Sequence, residues 1–183
     1  MSSSFPSPVI HAARLDLRTF GPGDAELVRA HLAAGAEPEA LPPGAPSDLG
    51  ELAGWLADGV HWPQREGVGV HLMMLDRAAD KIVGSISLFH ADWEVRSAEI
   101  GYGVRGEERG KGYASEALGA VARWALTEGG IQRAWLTAAT DNVASVRVAE
   151  KAGLHREGTL RRAGLEDDGL HDLAVFSLLD DEV

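Results

Sequence analysis

A glycine-rich, basic segment between a predicted strand and a predicted helix is the part of the sequence best suited to bind an anion. The strand ends at Val104, and the helix begins near Tyr113. The first amides of a helix have no intrahelical acceptor, and the helix dipole favours negative charge there. The segment therefore predicts a phosphate-binding turn, although the same residues could merely shape a tight turn with solvated basic side chains. Its residues are Arg109, Gly110, Lys111, Gly112, Tyr113 and Ala114.

Other phosphate and metal motifs are absent from the sequence. There is no G-x-x-x-x-G-K-[ST] pattern, and no G-x-G-x-x-G is followed by an acidic residue about 20 positions later. These absences disfavour ATP and NAD. The seven histidines are scattered, without H-E-x-x-H or a comparable ligand spacing. We therefore predict no metal.

The elements around the turn alternate between strand and helix patterns. After the turn, the apolar residues from Ala114 to Ala125 fall on one helix face. Strands are expected at 15–20, 68–75, 81–90, 98–104, 134–139, 154–160 and 172–178. Further helices are expected to begin at Asp24, Asp48 and Asn142, and the proline-rich stretch 37–47 reads as a surface loop or lid. This order predicts one mixed sheet with helices on both faces, in a single domain over 10–183, preceded by a disordered arm over 1–9.

Composition restricts the partners. The formal charge of −11 and the isoelectric point near 5.0 oppose nucleic-acid binding, which needs a basic surface. No basic, apolar leader opens the chain, and no uninterrupted apolar run of about 18 residues occurs. We expect a cytoplasmic protein without membrane or nucleic-acid partners. The absence of cysteine excludes a thiolate nucleophile.

Several motifs in a fixed order resemble the GNAT N-acetyltransferases, in particular the RimJ/RimL-like branch that acetylates protein N-terminal amines and small amines. The motifs are AEIGY at 98–102, RGKGYA at 109–114, NVAS at 142–145, EKAG at 150–153 and EGTLR at 157–161, followed by Gly169 and Asp172. The resemblance covers nearly the whole chain. It implies an α/β GNAT fold, with a mainly antiparallel mixed sheet of about seven strands that splays in the middle. One position departs from the general family pattern, since Glu107 stands where Gln or Arg is common.

The resemblance also implies how acetyl-CoA would be held. Residues 110–114 would bind the pyrophosphate, with Arg109 beside them. The strand from Glu99 to Val104, including Tyr102, would run along the pantetheine arm. Asn142 would bond the pantetheine region, and Ser145 would lie near the thioester sulfur.

An amine acceptor imposes chemical requirements of its own. A lysine-like amine has a pKa near about 10.4 and must lose a proton before attack, so a carboxylate or an imidazole must assist. Glu99 is the candidate base, and His71, His90 and His171 are competing candidates or ordinary structural histidines. A hydroxyl near the sulfur can stabilise or protonate the leaving thiolate, and Ser145 is the candidate. The three tryptophans that could line an acceptor pocket, or simply pack, are Trp55, Trp62 and Trp93.

The sequence therefore predicts an N-acyltransferase that moves an acetyl group from acetyl-CoA directly to a primary amine in a ternary complex. Two alternatives stay open: a non-catalytic acetyl-CoA sensor, and a succinyl-CoA-dependent transferase of the same fold. A generic nucleotide-binding domain is the weakest alternative. Neither the amine acceptor nor the oligomeric state can be read from the sequence, and a homodimer is implied only by the resemblance.

Overall fold

A computed structural model describes residues 4–33, 40–166 and 169–183 of the chain. The predicted end of the first helix near Gly35, and part of the predicted proline-rich loop, lie outside these residues. No helix in the described ranges is both long and apolar enough to span a bilayer.

The described residues form eight strands and five α-helices, with short 3-10 turns between them. The strands are β1 Val9–His11, β2 Leu15–Thr19, β3 Val70–Asp76, β4 Lys81–Asp92, β5 Ser97–Val104, β6 Arg133–Ala139, β7 His155–Glu166 and β8 Gly169–Leu179. The helices are α1 Ala25–Ala33, α2 Leu52–Ala57, α3 Trp62–Arg65, α4 Tyr113–Thr127 and α5 Val143–Lys151. The strands make one sheet in the order β1-β2-β3-β4-β5-β6-β8-β7. Every neighbouring pair is antiparallel except β5 and β6, which are parallel.

The sheet has one strand more than the sequence predicted. The additional strand is β1, and it begins inside the segment expected to be a disordered arm. Phe5, from the same segment, is only 2% exposed, and its ring centroid lies 4.9 Å from that of Trp93. From residue 4 onward the described chain therefore packs on the domain, because burying an aromatic ring offsets the entropy of ordering a short terminal segment.

Helices cover both faces of the sheet, as predicted. Because side chains alternate across a strand, Leu72 and Met73 of β3 point to opposite faces. Leu72 belongs to the larger core, which is packed under α4, whereas Met73 joins the smaller core of α1 and α2. The two layers leave the middle of the sheet enclosed on both sides.

The sheet splays between β5 and β6, as the resemblance implied. These strands pair only from Ser97 with Arg133 to Glu99 with Trp135. Beyond Glu99, β5 pairs with β4 alone and β6 pairs with β8 alone. A wedge-shaped gap therefore opens in the sheet, with Glu99 at its vertex.

Candidate active site

The glycine-rich turn has the backbone geometry of an anion site. Gly110 and Gly112 have φ values of 77° and 86°, a left-handed region that other residues enter at a cost. Gly112 directly precedes α4, and its carbonyl accepts hydrogen bonds from the Ser115 hydroxyl and the Glu116 amide. The amides of residues 113–115 open the helix and have no intrahelical acceptor. These donors point out of the helix end, toward the mouth of the gap.

The basic side chains of the turn are bound to the protein itself. Lys111 Nζ lies 2.8 Å from one carboxylate oxygen of the buried Glu108, and Lys81 Nζ lies 2.6 Å from the other. The hydrogen bond from Lys111, followed by that from Lys81, lowers the pKa of Glu108. Arg109 Nε donates to the Val104 carbonyl at 3.1 Å. Lys111 and Arg109 therefore brace the turn through contacts within the protein.

Two cations that the sequence analysis did not assign lie beside the turn. A Cβ atom placed on Gly112 would be 3.5 Å from Arg14 Nη2 and 3.8 Å from Lys151 Nζ. Arg14 also stacks over the Tyr113 ring at 4.5 Å and donates to the Lys111 carbonyl at 3.0 Å. Arg14 lies almost a hundred positions before the turn, so no local pattern could have indicated it. Lys151 lies in the EKAG motif, which gave no hint of its proximity to Gly112.

Glu107, the position that departs from the family pattern, points away from this chemistry. Its carboxylate is largely exposed and pairs with Arg105 at 2.7 Å. The departure therefore leaves the glycine backbone of the turn intact.

Glu99 is held at the vertex of the gap by two partners. His90 Nδ1 lies 2.9 Å from Glu99 Oε2, and the Thr137 hydroxyl lies 3.5 Å from Oε1. The Glu99 side chain is 14% exposed, whereas that of His90 is 74% exposed. Ala98 and Ile100 face the core under α4, so alternation turns Glu99 to the opposite face. The carboxylate is thus sheltered but connected to solvent through an imidazole.

A bulge in β4 brings His90 to Glu99. Phe89 pairs with Glu99, but the register then shifts before Asp92 pairs with Ser97. His90, inside the bulge, has a φ of 50°, which is uncommon for a residue other than glycine. Such bulges re-aim side chains, and this one aims His90 along the sheet toward the neighbouring strand.

Ser145 and Tyr102 lie on the other side of the sheet. Asn142 caps α5 by accepting a hydrogen bond from the Ser145 amide at 3.0 Å, which confirms the predicted cap. Burial raises the pKa of the Tyr102 phenol, and the nearby Ser145 side chain opposes that shift. Within the described residues, no partner meets hydrogen-bond geometry at the Tyr102 hydroxyl. The Tyr102 and Ser145 hydroxyls therefore lie near each other on the α4–α5 side of the sheet, opposite Glu99.

Two cavities lie on the Glu99 side of the sheet. The larger, called here the Trp62 pocket, has a volume of about 820 Å³ and is lined by Pro43, Trp62, Pro63, Val68, Phe89 and Ala91, with Asp58, Gly59, His71 and His90. The smaller, of about 410 Å³, lies over Ser85, Ser87, Gly101 and Gly103 and shares Phe89 and Pro43 with the larger. The side of the sheet that carries Glu99 is therefore recessed.

The other candidate histidines and tryptophans lie at different places in the fold. His71 is buried and lies 2.7 Å from the Ser87 hydroxyl, and its burial lowers its pKa to about 4. His171 lies 2.9 Å from Asp141, far along the chain from β4. Trp55 packs edge-on against Phe20, and Trp93 donates to the Gly67 carbonyl. Of the three tryptophans, Trp62 is the one that lines a described cavity.

The described residues contain no cluster of side chains suited to bind a metal ion. No group of three or more histidine and acidic side chains there is arranged to hold an ion.

A split sheet, with an amide-rich turn at one end of the split and a sheltered carboxylate at its vertex, is the arrangement that the resemblance to the GNAT N-acetyltransferases implied. The chain belongs to the family described as the acetyltransferase (GNAT) domain, whose model matches residues 14–155. The family predicted from the motifs is thereby confirmed.

Named relatives and solved structures agree with this family. The uncharacterized N-acetyltransferase YoaA of Bacillus subtilis is 30% identical over 115 residues, covering 63% of this chain and 65% of YoaA. The ribosomal-protein-serine acetyltransferase of Escherichia coli is 27% identical, over 69% of this chain and 80% of that protein. Mycobacterium smegmatis RimJ, solved in complex with CoA-disulfide, superposes with a TM-score of 0.75 at 22% identity, over 97% of this chain and 90% of RimJ. That last likeness shows the fold.

Proposed function

We propose that this protein transfers an acetyl group from acetyl-CoA directly to a primary amine. The observation that carries the proposal is the position of Glu99, a sheltered carboxylate at the vertex of the gap between β5 and β6. An anion-binding turn stands at one end of the same gap, and the hydroxyls of Tyr102 and Ser145 lie near each other on the side of the sheet opposite Glu99.

The residues on the donor side fit a CoA thioester. The amides of 113–115 and the left-handed glycines suit a pyrophosphate, and Arg14 and Lys151 add positive charge next to Gly112. The edge of β5 from Ile100 to Val104, unpaired on the gap side, offers backbone groups to an extended amide chain. In this proposal Tyr102, Val104 and Asn142 lie along the pantetheine arm.

The residues on the acceptor side fit an amine nucleophile. Glu99 takes the proton that the amine must lose, directly or through a water, and His90 passes it to solvent. The neutral amine nitrogen forms a bond to the acyl carbon while the carbon–sulfur bond breaks, and the second proton that the nitrogen loses replaces the one that the sulfur receives, so CoA leaves as a thiol. The departing thiolate is stabilised or protonated by the hydroxyl of Ser145, supported by that of Tyr102. The direct route needs no covalent enzyme intermediate.

Two alternatives predict different results with purified protein. A sensor would bind acetyl-CoA without releasing CoA in the presence of any amine, whereas a transferase releases CoA in step with amine consumption. A succinyl transferase would prefer succinyl-CoA when the two donors compete. The paired arrangement of Glu99 and His90 favours a transferase, because a sensor has no need of a proton path.

Replacement of Glu99 tests the proposal. Glu99→Gln keeps the size of the side chain but cannot accept a proton, so turnover should fall by roughly 10²–10⁴-fold, most strongly at low pH, where less free amine is present. The CoA dissociation constant should stay unchanged. Glu26→Gln, on the exposed face of α1, is the matched control. Equal rates of wild type and Glu99→Gln across the pH range would remove Glu99 from its role.

The partners in this proposal are an acyl-CoA and an amine, in the cytoplasm. A homodimer remains a prediction from the resemblance, and light scattering at several concentrations measures it. The acidic charge of the chain argues against a nucleic-acid partner.

A further inference from the structure

The Trp62 pocket has the wall chemistry to select the amine. We propose that it accepts a primary amine with a single positive charge that carries a bulky aromatic or branched apolar group. This inference rests on the proposed transferase function and adds the class of acceptor to it. The shared chemistry fits either a small arylalkylamine or a peptide whose first residue is large and apolar.

The walls of the pocket are mostly apolar. Trp62, the first residue of α3, is 54% exposed and contributes the largest ring, with Phe89 from β4 and two prolines around it. A large tryptophan left half-open next to a cavity gains by burial when a matching apolar group enters. The pocket volume of about 820 Å³ is within the range that binds small organic groups.

The polar groups of the pocket offer little to a second positive charge. Asp58 is 76% exposed and is already paired with Arg65 at 2.9 Å. Burial lowers the pKa of His71 to about 4, so its ring is neutral near pH 7 and is bonded to Ser87. In the described lining, therefore, no unpaired carboxylate awaits the distal ammonium of a polyamine.

The pocket leads to the reacting centre. His90 lines it and touches Glu99 at 2.9 Å, and Phe89 lines it and pairs with Glu99 across the strands. An amine at Glu99 would therefore place its substituent against Phe89 and Trp62. Glu99 lies behind the His90 and Phe89 wall of the pocket, and Asp58 in the lining is paired with Arg65, so the arrangement complements one ammonium on an apolar body.

A panel of acceptors with acetyl-CoA tests this inference. The panel contains phenethylamine, ethylamine, spermidine, and two short peptides that begin with Phe or with Ser. CoA release gives kcat/KM for each, in the wild type, in Trp62→Ala and in Leu49→Ala, which removes an exposed apolar residue outside the pocket. Calorimetric titration of phenethylamine into each protein, saturated with CoA, measures binding without turnover.

We expect phenethylamine or the Phe peptide to exceed both spermidine and the Ser peptide by about tenfold or more in kcat/KM. Trp62→Ala should remove most of that preference and weaken phenethylamine binding, while Leu49→Ala behaves as wild type. The relative rates of phenethylamine and the Phe peptide show whether the acceptor is a small arylalkylamine or a peptide N-terminus.

Preference for spermidine or the Ser peptide, or an unchanged preference in Trp62→Ala, would overturn the inference and leave the transferase proposal standing. If no amine releases CoA, the transferase proposal fails, and the titration then shows whether the pocket binds an apolar amine. Phenethylamine binding that depends on Trp62 would support an apolar-amine site, and its absence would reject one.

Discussion

At the scale of single residues, the arrangement around Glu99 separates two tasks. The carboxylate is sheltered enough to be oriented, since Thr137 and His90 hold its two oxygens. The imidazole beside it reaches solvent, so a proton can leave without the carboxylate itself becoming exposed. A bulge and a left-handed backbone at His90 sustain this contact, and backbone strain of this kind is often retained at functional positions.

Two substitutions at His90 separate orientation from proton transfer. His90→Gln keeps a hydrogen-bond donor but cannot titrate, whereas His90→Ala loses both properties. If His90 moves the proton, both variants should lower kcat by about tenfold or more with little change in KM.

Rescue by Gln alone would show that His90 only orients Glu99. Wild-type kcat and an unaltered pH profile in His90→Ala would exclude His90 from the reaction. His155→Gln, at an exposed histidine on β7, controls for removal of an imidazole elsewhere.

At the scale of elements, the junction from β5 to α4 depends on backbone conformation more than on its basic side chains. Lys111 and Lys81 both form ion pairs with the buried Glu108, and these pairs hold the turn in place. Arg14, from the connection between β1 and β2, bridges the turn to α4 through the Lys111 carbonyl and Glu116. The amides at the helix start are then presented in one arrangement, so an anion need not order them.

Two glycine substitutions isolate the role of this turn. Gly112→Ala forces a left-handed alanine at the start of α4, at a cost of about 1 kcal/mol, and puts a methyl group where a phosphate would approach. Gly153→Ala imposes the same strain after α5, where a Cβ meets no atom within 4 Å. Both variants should lose similar stability in denaturant.

Affinity for CoA should fall about tenfold or more only in Gly112→Ala, because that methyl group displaces a phosphate from backbone donors. Calorimetric titration with CoA measures the difference. Equal CoA affinities in the two variants would show that the phosphate does not approach Gly112.

At the scale of the whole molecule, folding buries the titratable ring of His71 against the sheet. His71 of β3 is buried beside the Ser87 hydroxyl of β4, and its pKa falls to about 4 because burial disfavours the charged ring. In the unfolded chain the ring titrates near about 6.5. Between these values the unfolded state binds more protons, so the free energy of unfolding must decrease as pH falls from 6.5 to 4.

This linkage predicts a pH-dependent loss of stability that His71→Gln reduces. Since the pKa falls from 6.5 to about 4, the ring contributes at most about 3.4 kcal/mol to the pH dependence of the free energy of unfolding. Urea unfolding at pH 7, 5.5 and 4 measures it. If the difference between wild type and His71→Gln stays constant across these pH values, His71 titrates alike in both states; His155→Gln is the exposed control.

The sequence by itself determined the family, the order of the elements and the turn at 109–114. The family followed from the resemblance of several motifs in a fixed order, and that resemblance also implied the splayed sheet. The elements, the turn and the cap at Asn142 depend on local periodicity, glycine positions and capping residues, all of which lie close together in the sequence. Strand β1 was not predicted, because its three residues, next to a polar terminal segment, are too few to show an alternation of apolar and polar side chains.

Only the tertiary structure decided which residues meet. Arg14 and Lys151 come to Gly112 from distant parts of the chain, and His90 reaches Glu99 because of a bulge whose register depends on strand pairing. The sequence offered three histidines and three tryptophans around an unknown acceptor; the fold puts His90 at the carboxylate and Trp62 at the pocket. Contacts between residues far apart in sequence form only when the strands pair and the helices pack on the sheet, and no local propensity encodes them.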